Sequence, residues 1–391
     1  MLRLALSSLL SITVVCFANA SNSTACPFCA AVSQTFTEEI DSMDAVVIGE
    51  LVELPKKSDA KDEVARRETP KATFQIIQVV KGGKFLLDTS TIETIYFGDG
   101  QLGKPFLIMG VDPPKIMWST PLQLTDRARK YIPELLALPK EGVARLEFFQ
   151  KHLEDDDEML ARDAYDEFAK APYPMVIALK SKMDHTKLLE WIQDGDIPAS
   201  RRRLYLTMLG VCGTDQDLPM LEAMLRSEDR KSKAGLDAMI GCYLTLKGAE
   251  GMPLVEDLFL KNEKSEYADT YAAIMALRFH GSETDVVPKK RILEGLRYML
   301  DRPQLADLVI PDLARWEDWD SMPRLVKLFK EADEKSSWVR VPVINYLRAC
   351  PNPAAEAQIK ELEKIDPAAV KRANTFFPFG GSAGAAAPKE S

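Results

Sequence analysis

The chain has 391 residues, 46% hydrophobic and 28% charged, the balance of a folded protein with more than one structural unit. Its 59 acidic against 50 basic residues leave a net charge of -9, which repels phosphate backbones and argues against a nucleic-acid partner. The short basic runs RRR at 201–203 and KKR at 289–291 are therefore expected as solvated helix faces.

The N-terminus reads as an export signal over residues 1–20. Arg3 supplies a positive start, residues 4–17 an apolar core, and Ala18 and Ala20 the small residues of a cleavage site. That core is too short to span a bilayer comfortably, and no later run is longer and as apolar. The mature chain is thus expected to be exported, periplasmic or secreted, with no integral membrane segment.

Next comes CPFC, with Cys26 and Cys29 bracketing Pro27 and Phe28. Export places these thiols in an oxidising compartment. Cys16 leaves with the signal, so five cysteines remain: Cys26, Cys29, Cys212, Cys242 and Cys350. The last three lie in apolar helical stretches, where cysteine behaves as a small hydrophobe. The CPFC pair has three chemistries open to it. A thiol-exchange fold needs a strand before the first cysteine and a βαβ frame after it, and a zinc site needs two further ligands. The leading expectation is a structural clip that holds the chain end against the following β domain. A thiol–disulfide redox factor using Cys26 and Cys29 is the alternative.

Residues 21–125 are predicted as a β-rich domain. After a short helix within 30–43, five runs are rich in Val, Ile, Thr and Phe: 45–54, 72–82, 91–98, 105–111 and 115–124. The charged, proline-flanked insert 55–70 is expected as an exposed loop. Five short strands in this length suggest a small barrel. The cysteine pair followed by DAVVIGELV, FQIIQVVKG and GKPFLIMGV resembles the netrin-like domains, OB-type barrels shared with tissue inhibitors of metalloproteases. It departs from them in opening with Cys-x-x-Cys rather than Cys-x-Cys, and in lacking cysteines between Cys29 and Cys212. The resemblance implies a metalloprotease-inhibitor-like activity, with the amino group of an N-terminal cysteine on the protease zinc. Here that requires cleavage after Ala25, leaving Cys26 first.

From residue 126 the pattern is helical, with a linker and irregular opening helices over 126–198. Over 199–374 it repeats. Pro219, Pro253, Pro288 and Pro323 recur at spacings of 34, 35 and 35 residues, each in a stretch that reads as a helix start. Apolar residues follow at +2, +5 and +6 in three units; the unit at Pro288 departs, which predicts a shifted hairpin. Glycines at 213, 248 and 281 end the preceding helices and are expected as C-caps. LYLTMLGVCGTDQDLPMLEAMLRSED resembles the HEAT-type repeat, of the short variety also seen in phycobilisome lyase-like proteins. That resemblance implies an α-solenoid with an armadillo-type fold. Residues 375–391 read as a disordered tail.

Catalytic donors are sparse. Three histidines, His152, His185 and His280, precede Leu, Thr and Gly rather than the Glu of a HEAT di-iron enzyme. The acidic run 154–158 lacks the alternating spacing and glycine of a calcium loop, so it is expected as a capped helix junction. WEDWD offers Trp316, Asp318, Trp319 and Asp320 as possible ligand-binding groups, or as an inter-helix corner. The expectation is an α+β multidomain protein: a five-stranded OB-like barrel, then an α-α superhelix. Its function would be a non-enzymatic scaffold binding a protein or peptide, with no cofactor or metal.

Overall fold

The computed structural model describes residues 28–29, 33–55 and 69–375. The predicted signal at 1–20, Cys26, nearly all of the charged insert and the tail after residue 375 lie outside the described residues.

Helix α1 (Phe36–Ser42) begins at a capping box, in which the Thr35 hydroxyl and the Glu38 carboxylate accept from each other's backbone N–H. Six strands follow: β1 (Ala45–Glu53), β2 (Lys71–Lys81), β3 (Thr91–Ile95), β4 (Pro105–Val111), β5 (Met117–Trp118) and β6 (Leu122–Gln123). Their order is β3-β2-β1-β4-β5, all antiparallel, with β6 also beside β4. All five predicted runs form strand, the last dividing into β5 and β6. The sheet curls until it is nearly closed. Thr94 on β3 donates its hydroxyl to the carbonyls of Trp118 and Ser119, at 3.3 and 3.2 Å.

Two separate cores explain the strand sequences. Val47, Leu51, Phe74, Tyr96, Phe106 and Ile108 fill the barrel interior. Val46, Ile48 and Leu107 point the other way and join the core of the helical half. With both faces covered, β1 and β4 read as near-continuous apolar runs, while β3, TIETI, alternates because only one face is buried. After β2 the chain turns at Gly82, φ +74°, where a side chain would overlap the Asp44 backbone.

Sixteen α-helices follow among the described residues. The opening set is α2 (Asp126–Ala137), α3 (Val143–Gln150), α4 (Glu158–Lys170), α5 (Tyr173–Ala178) and α6 (His185–Gln193). Tyr131, Phe149 and Phe168 from this set lie in one core with the repeats, so 126–198 is packed structure. The repeats are α7 (Ala199–Cys212) with α8 (Leu218–Arg226), then α9 (Leu236–Lys247) with α10 (Met252–Val255). Next are α11 (Tyr267–Glu283) with α12 (Lys289–Arg297), α13 (Ile310–Arg315) with α14 (Met322–Glu331), and α15 (Arg340–Ala349) with α16 (Pro353–Ile365); α17 (Pro367–Thr375) closes the stack. First-row helices pack side by side, α7 on α9, α9 on α11, α13 on α15 and α15 on α17.

The prolines do what their period predicts. Pro219, Pro253 and Pro323 stand in the first turns of α8, α10 and α14, and Pro288 is the N-cap of α12. Burial falls on +2 and +6 in three units, as Leu221 and Leu225, Val255 and Phe259, Leu325 and Phe329. The shifted unit buries Ile292 and Leu296 instead, two residues later.

Two expectations are corrected. Gly281 is not a C-cap: α11 runs on to Glu283, and Trp316 lies where a Gly281 side chain would be. Nor is the basic run 201–203 a solvated face, because Arg202 is only 2% exposed. Its guanidinium donates to the carbonyls of Lys231 and Asp194, the latter the C-cap of α6. Arg302 on the Phe259 carbonyl and Arg340 on those of Phe329 and Ala332 repeat the device. Helix ends leave carbonyls without intrahelical partners, and a buried guanidinium has donors enough to satisfy several.

Candidate functional site

The described half of CPFC is Phe28 and Cys29. Cys29 is half-buried and disulfide-bonded. Cys212, Cys242 and Cys350 are free, so its partner lies outside the described residues, as does Cys26. Phe28 is 5% exposed and seats in the first-row helices, its ring centroid 4.9 Å from that of Phe279 on α11. The seat exists because residue 241 on α9 is glycine: a Cβ there would stand 2.9 Å from the Phe28 ring. Tyr173 closes the far side, 5.2 Å from Phe279 and edge-on. Phe28 thus packs on helices α9 and α11, within the core that also takes in Val46, Ile48 and Leu107 of the sheet.

His280 lies beneath this seat. Its Nε2 meets the Gly241 carbonyl at 3.0 Å and its Nδ1 the Thr284 hydroxyl at 2.9 Å. A carbonyl can only accept, so Nε2 carries the proton and Nδ1 accepts from Thr284. Burial pushes the imidazole pKa down to about 4, so it is neutral at neutral pH with both nitrogens engaged. Burial likewise raises the Tyr173 phenol to about 12 and the Cys242 thiol well above its ordinary value. These groups hold the seat together.

Burial also raises the Cys212 thiol, to about 11, which removes thiolate character at neutral pH. His185 does meet a carboxylate, with Nε2 3.0 Å from Asp217 Oδ2, but Asp217 also caps the Thr214 turn at 2.8 Å. The acidic run is the capped junction its sequence predicts. Asp157 caps α4, accepting from Met159 N at 3.1 Å, while Asp155 bridges Arg127 and His152. Among the described residues no group of three or more His, Cys, Asp or Glu side chains is placed to hold a metal. No described helix is long and apolar enough to cross a membrane.

The WEDWD residues do not converge on one surface. Asp318 is buried, paired with Arg297 and accepting from Ser321 Oγ at 2.6 Å, while its carbonyl accepts from Tyr346 Oη at 2.6 Å. Trp319 packs edge-on to Tyr346 with centroids 5.3 Å apart. Trp316 fills the space over Gly281, with Lys289 Nζ 5.4 Å from its ring. Asp320 alone of the four is exposed.

An open groove of about 860 Å³ runs instead along one edge of the stack. Glu263 lines it from the turn before α11 and Tyr267 from the first position of α11, residues 301–305 from the turn before α13, Glu331 from the last position of α14, and Asp333, Ser336 and Trp338 from the turn before α15. Three consecutive second-row to first-row turns thus build one concave edge. Two large aromatic rings remain uncovered there, Tyr267 at 58% and Trp338 at 47% exposed. Sequence reasoning missed both, although aligning the repeats would place each at the start of its first-row helix, two units apart. No protein-family model matches this chain, and neither does any curated protein.

Proposed function

We propose that the protein is an interaction scaffold whose helical half, stacked as HEAT-like repeats, holds a segment of a protein or peptide partner in the edge groove. The observation that carries this reading is the groove itself, built by three successive turns and presenting Tyr267 and Trp338 to solvent. Exposed aromatic rings in a concave setting offer large, stiff contact area at low entropic cost, which is where binding energy concentrates. Stacking hairpins supports it physically, because each neighbour buries a continuous core and leaves a long edge free. The sequence of residues 1–20, with its positive start, apolar core and small residues at 18 and 20, supports export as the setting of this function.

Selecting a displayed random-peptide library on the full chain tests the proposal. Selected peptides should lose binding to Tyr267→Ala and Trp338→Ala, yet keep it on Phe97→Ala, which removes a 75% exposed ring from the barrel. Peptides that ignore both groove substitutions would overturn it.

A further inference from the structure

The groove is uneven in charge. Glu263, Asp301, Glu331 and Asp333 line it against one guanidinium, that of Arg302. Arg302 is turned inward, its Nη1 donating to the Phe259 carbonyl and the Thr270 hydroxyl, both at 3.2 Å. Asp301 pairs with Arg324. Glu331 has Lys327 one helical turn earlier at 3.9 Å, an exposed pair of the kind that contributes little. Asp333 accepts from the Ser336 hydroxyl at 2.8 Å and from Lys335 N at 2.9 Å. The Ser336 hydroxyl leads in holding its carboxyl below the usual range, so it stays ionised.

The two rings are also held in place. Tyr267 stacks on Tyr271 with planes 7° apart and centroids 6.0 Å apart. Trp338 donates its indole N–H to the Gln304 carbonyl at 3.1 Å. Exposed rings fixed in this way meet a ligand without a further ordering cost, and the negative face of an aromatic quadrupole attracts cations. Carboxylates beside such faces suit one ligand chemistry, a cation carried on a flexible side chain. An anionic segment would meet repulsion from four carboxylates, and a neutral one would gain only apolar contact.

We infer that the groove takes a cationic stretch of a partner protein, with arginine or lysine side chains over Tyr267 and Trp338 and their charges met by Glu263, Glu331 and Asp333. This partner chemistry rests on the scaffold function proposed above.

The test titrates the full chain with three synthetic peptides of equal length, alternating glycine with arginine, glutamine or glutamate, read by fluorescence anisotropy. The arginine peptide should bind and the glutamate peptide should not. Trp338→Ala and Tyr267→Ala should each weaken the arginine peptide by about tenfold, the scale of a desolvated cation–π contact. Glu331→Gln combined with Glu263→Gln should weaken it in the same direction and lower its salt dependence. These four side chains are exposed, so each variant should keep the native circular dichroism spectrum, which is checked alongside the titration. Equal binding of the glutamine peptide, still lost on Trp338→Ala, would overturn the cationic chemistry and leave the scaffold standing. Arginine binding that ignores all four substitutions would be diffuse attraction to an acidic surface and would overturn the inference. Binding of no peptide would overturn both it and the groove as a peptide site.

Discussion

Helix α11 carries an aromatic residue near each end, and the two meet opposite fates. Near its C-terminus Phe279 is 4% exposed under Phe28, and His280 beside it has both nitrogens engaged and a depressed pKa. At its N-terminus Tyr267 is 58% exposed and stacks on Tyr271. The two positions are about 18 Å apart along the helix axis. Nothing in the composition of the helix separates them. What differs is whether another part of the chain arrives to cover the ring, and near the C-terminus it is residue 28, from far upstream in sequence.

If covered contacts carry stability and open ones carry binding, the largest losses belong to the covered side. Arg145 and Glu167 form a two-point pair, each side chain 9% exposed, and Arg145 also donates to Thr37 at 2.8 Å. Arg145→Ala leaves Glu167 buried without its cation and should cost about 3–5 kcal/mol in urea unfolding. A loss below about 1 kcal/mol would mean that water reaches the pair.

Two buried titratable groups should pull the pH dependence in opposite directions. Asp163 accepts from Phe36 N at 2.7 Å and Tyr131 Oη at 2.6 Å, yet burial raises its pKa from 3.8 to about 6. Its contribution is full below its unfolded value and is lost as pH rises through about 6. His280 is the reverse, depressed from 6.5 to about 4, so its contribution is full above 6.5 and is lost as pH falls through about 4. Each is worth on the order of 3 kcal/mol by linkage, and between these limits they oppose one another. Asp163→Asn should therefore lose stability more steeply than the native chain on acidification, and His280→Gln less steeply. Variants whose pH curves merely run parallel to the native one would show that neither group is held as described.

A smaller effect isolates the seat. Gly241→Ala pushes a methyl into the Phe28 ring and should cost about 1–3 kcal/mol. In a Phe28→Ala background the clash has no partner, so most of that cost should vanish, a coupling readable as a double-mutant cycle. Equal costs in both backgrounds would place Phe28 elsewhere in solution. The smallest change is expected at the open end of α11, where Tyr267→Ala should move stability by no more than about 0.5 kcal/mol while weakening peptide binding. A large destabilisation there would erase the contrast.

Much of the fold was legible because its elements carry their own periodicity. The five β runs announced strands, and the proline spacing announced stacked hairpins, down to the shifted unit at Pro288. The acidic run 154–158 was equally readable as a cap, since Asp157 acts on Met159, its near neighbour. The candidate site was far less legible. The WEDWD residues looked like one cluster because they are adjacent in sequence, yet Asp318 turns inward to Arg297 while Asp320 faces solvent. Tyr267 and Trp338 looked like ordinary helix-start residues because their shared edge needs three turns in register.

By itself the sequence determined the order of a β part and a repeating helical part, because burial on one or two faces writes a period into each element locally. Tertiary structure alone decided that Arg202 is buried, that Gly281 makes room for Trp316, and that Phe28 docks against Phe279. It also decided which aromatic rings stay uncovered. Those outcomes depend on surfaces meeting across tens to hundreds of residues, and covering or exposing a ring leaves no trace in the residues adjacent to it.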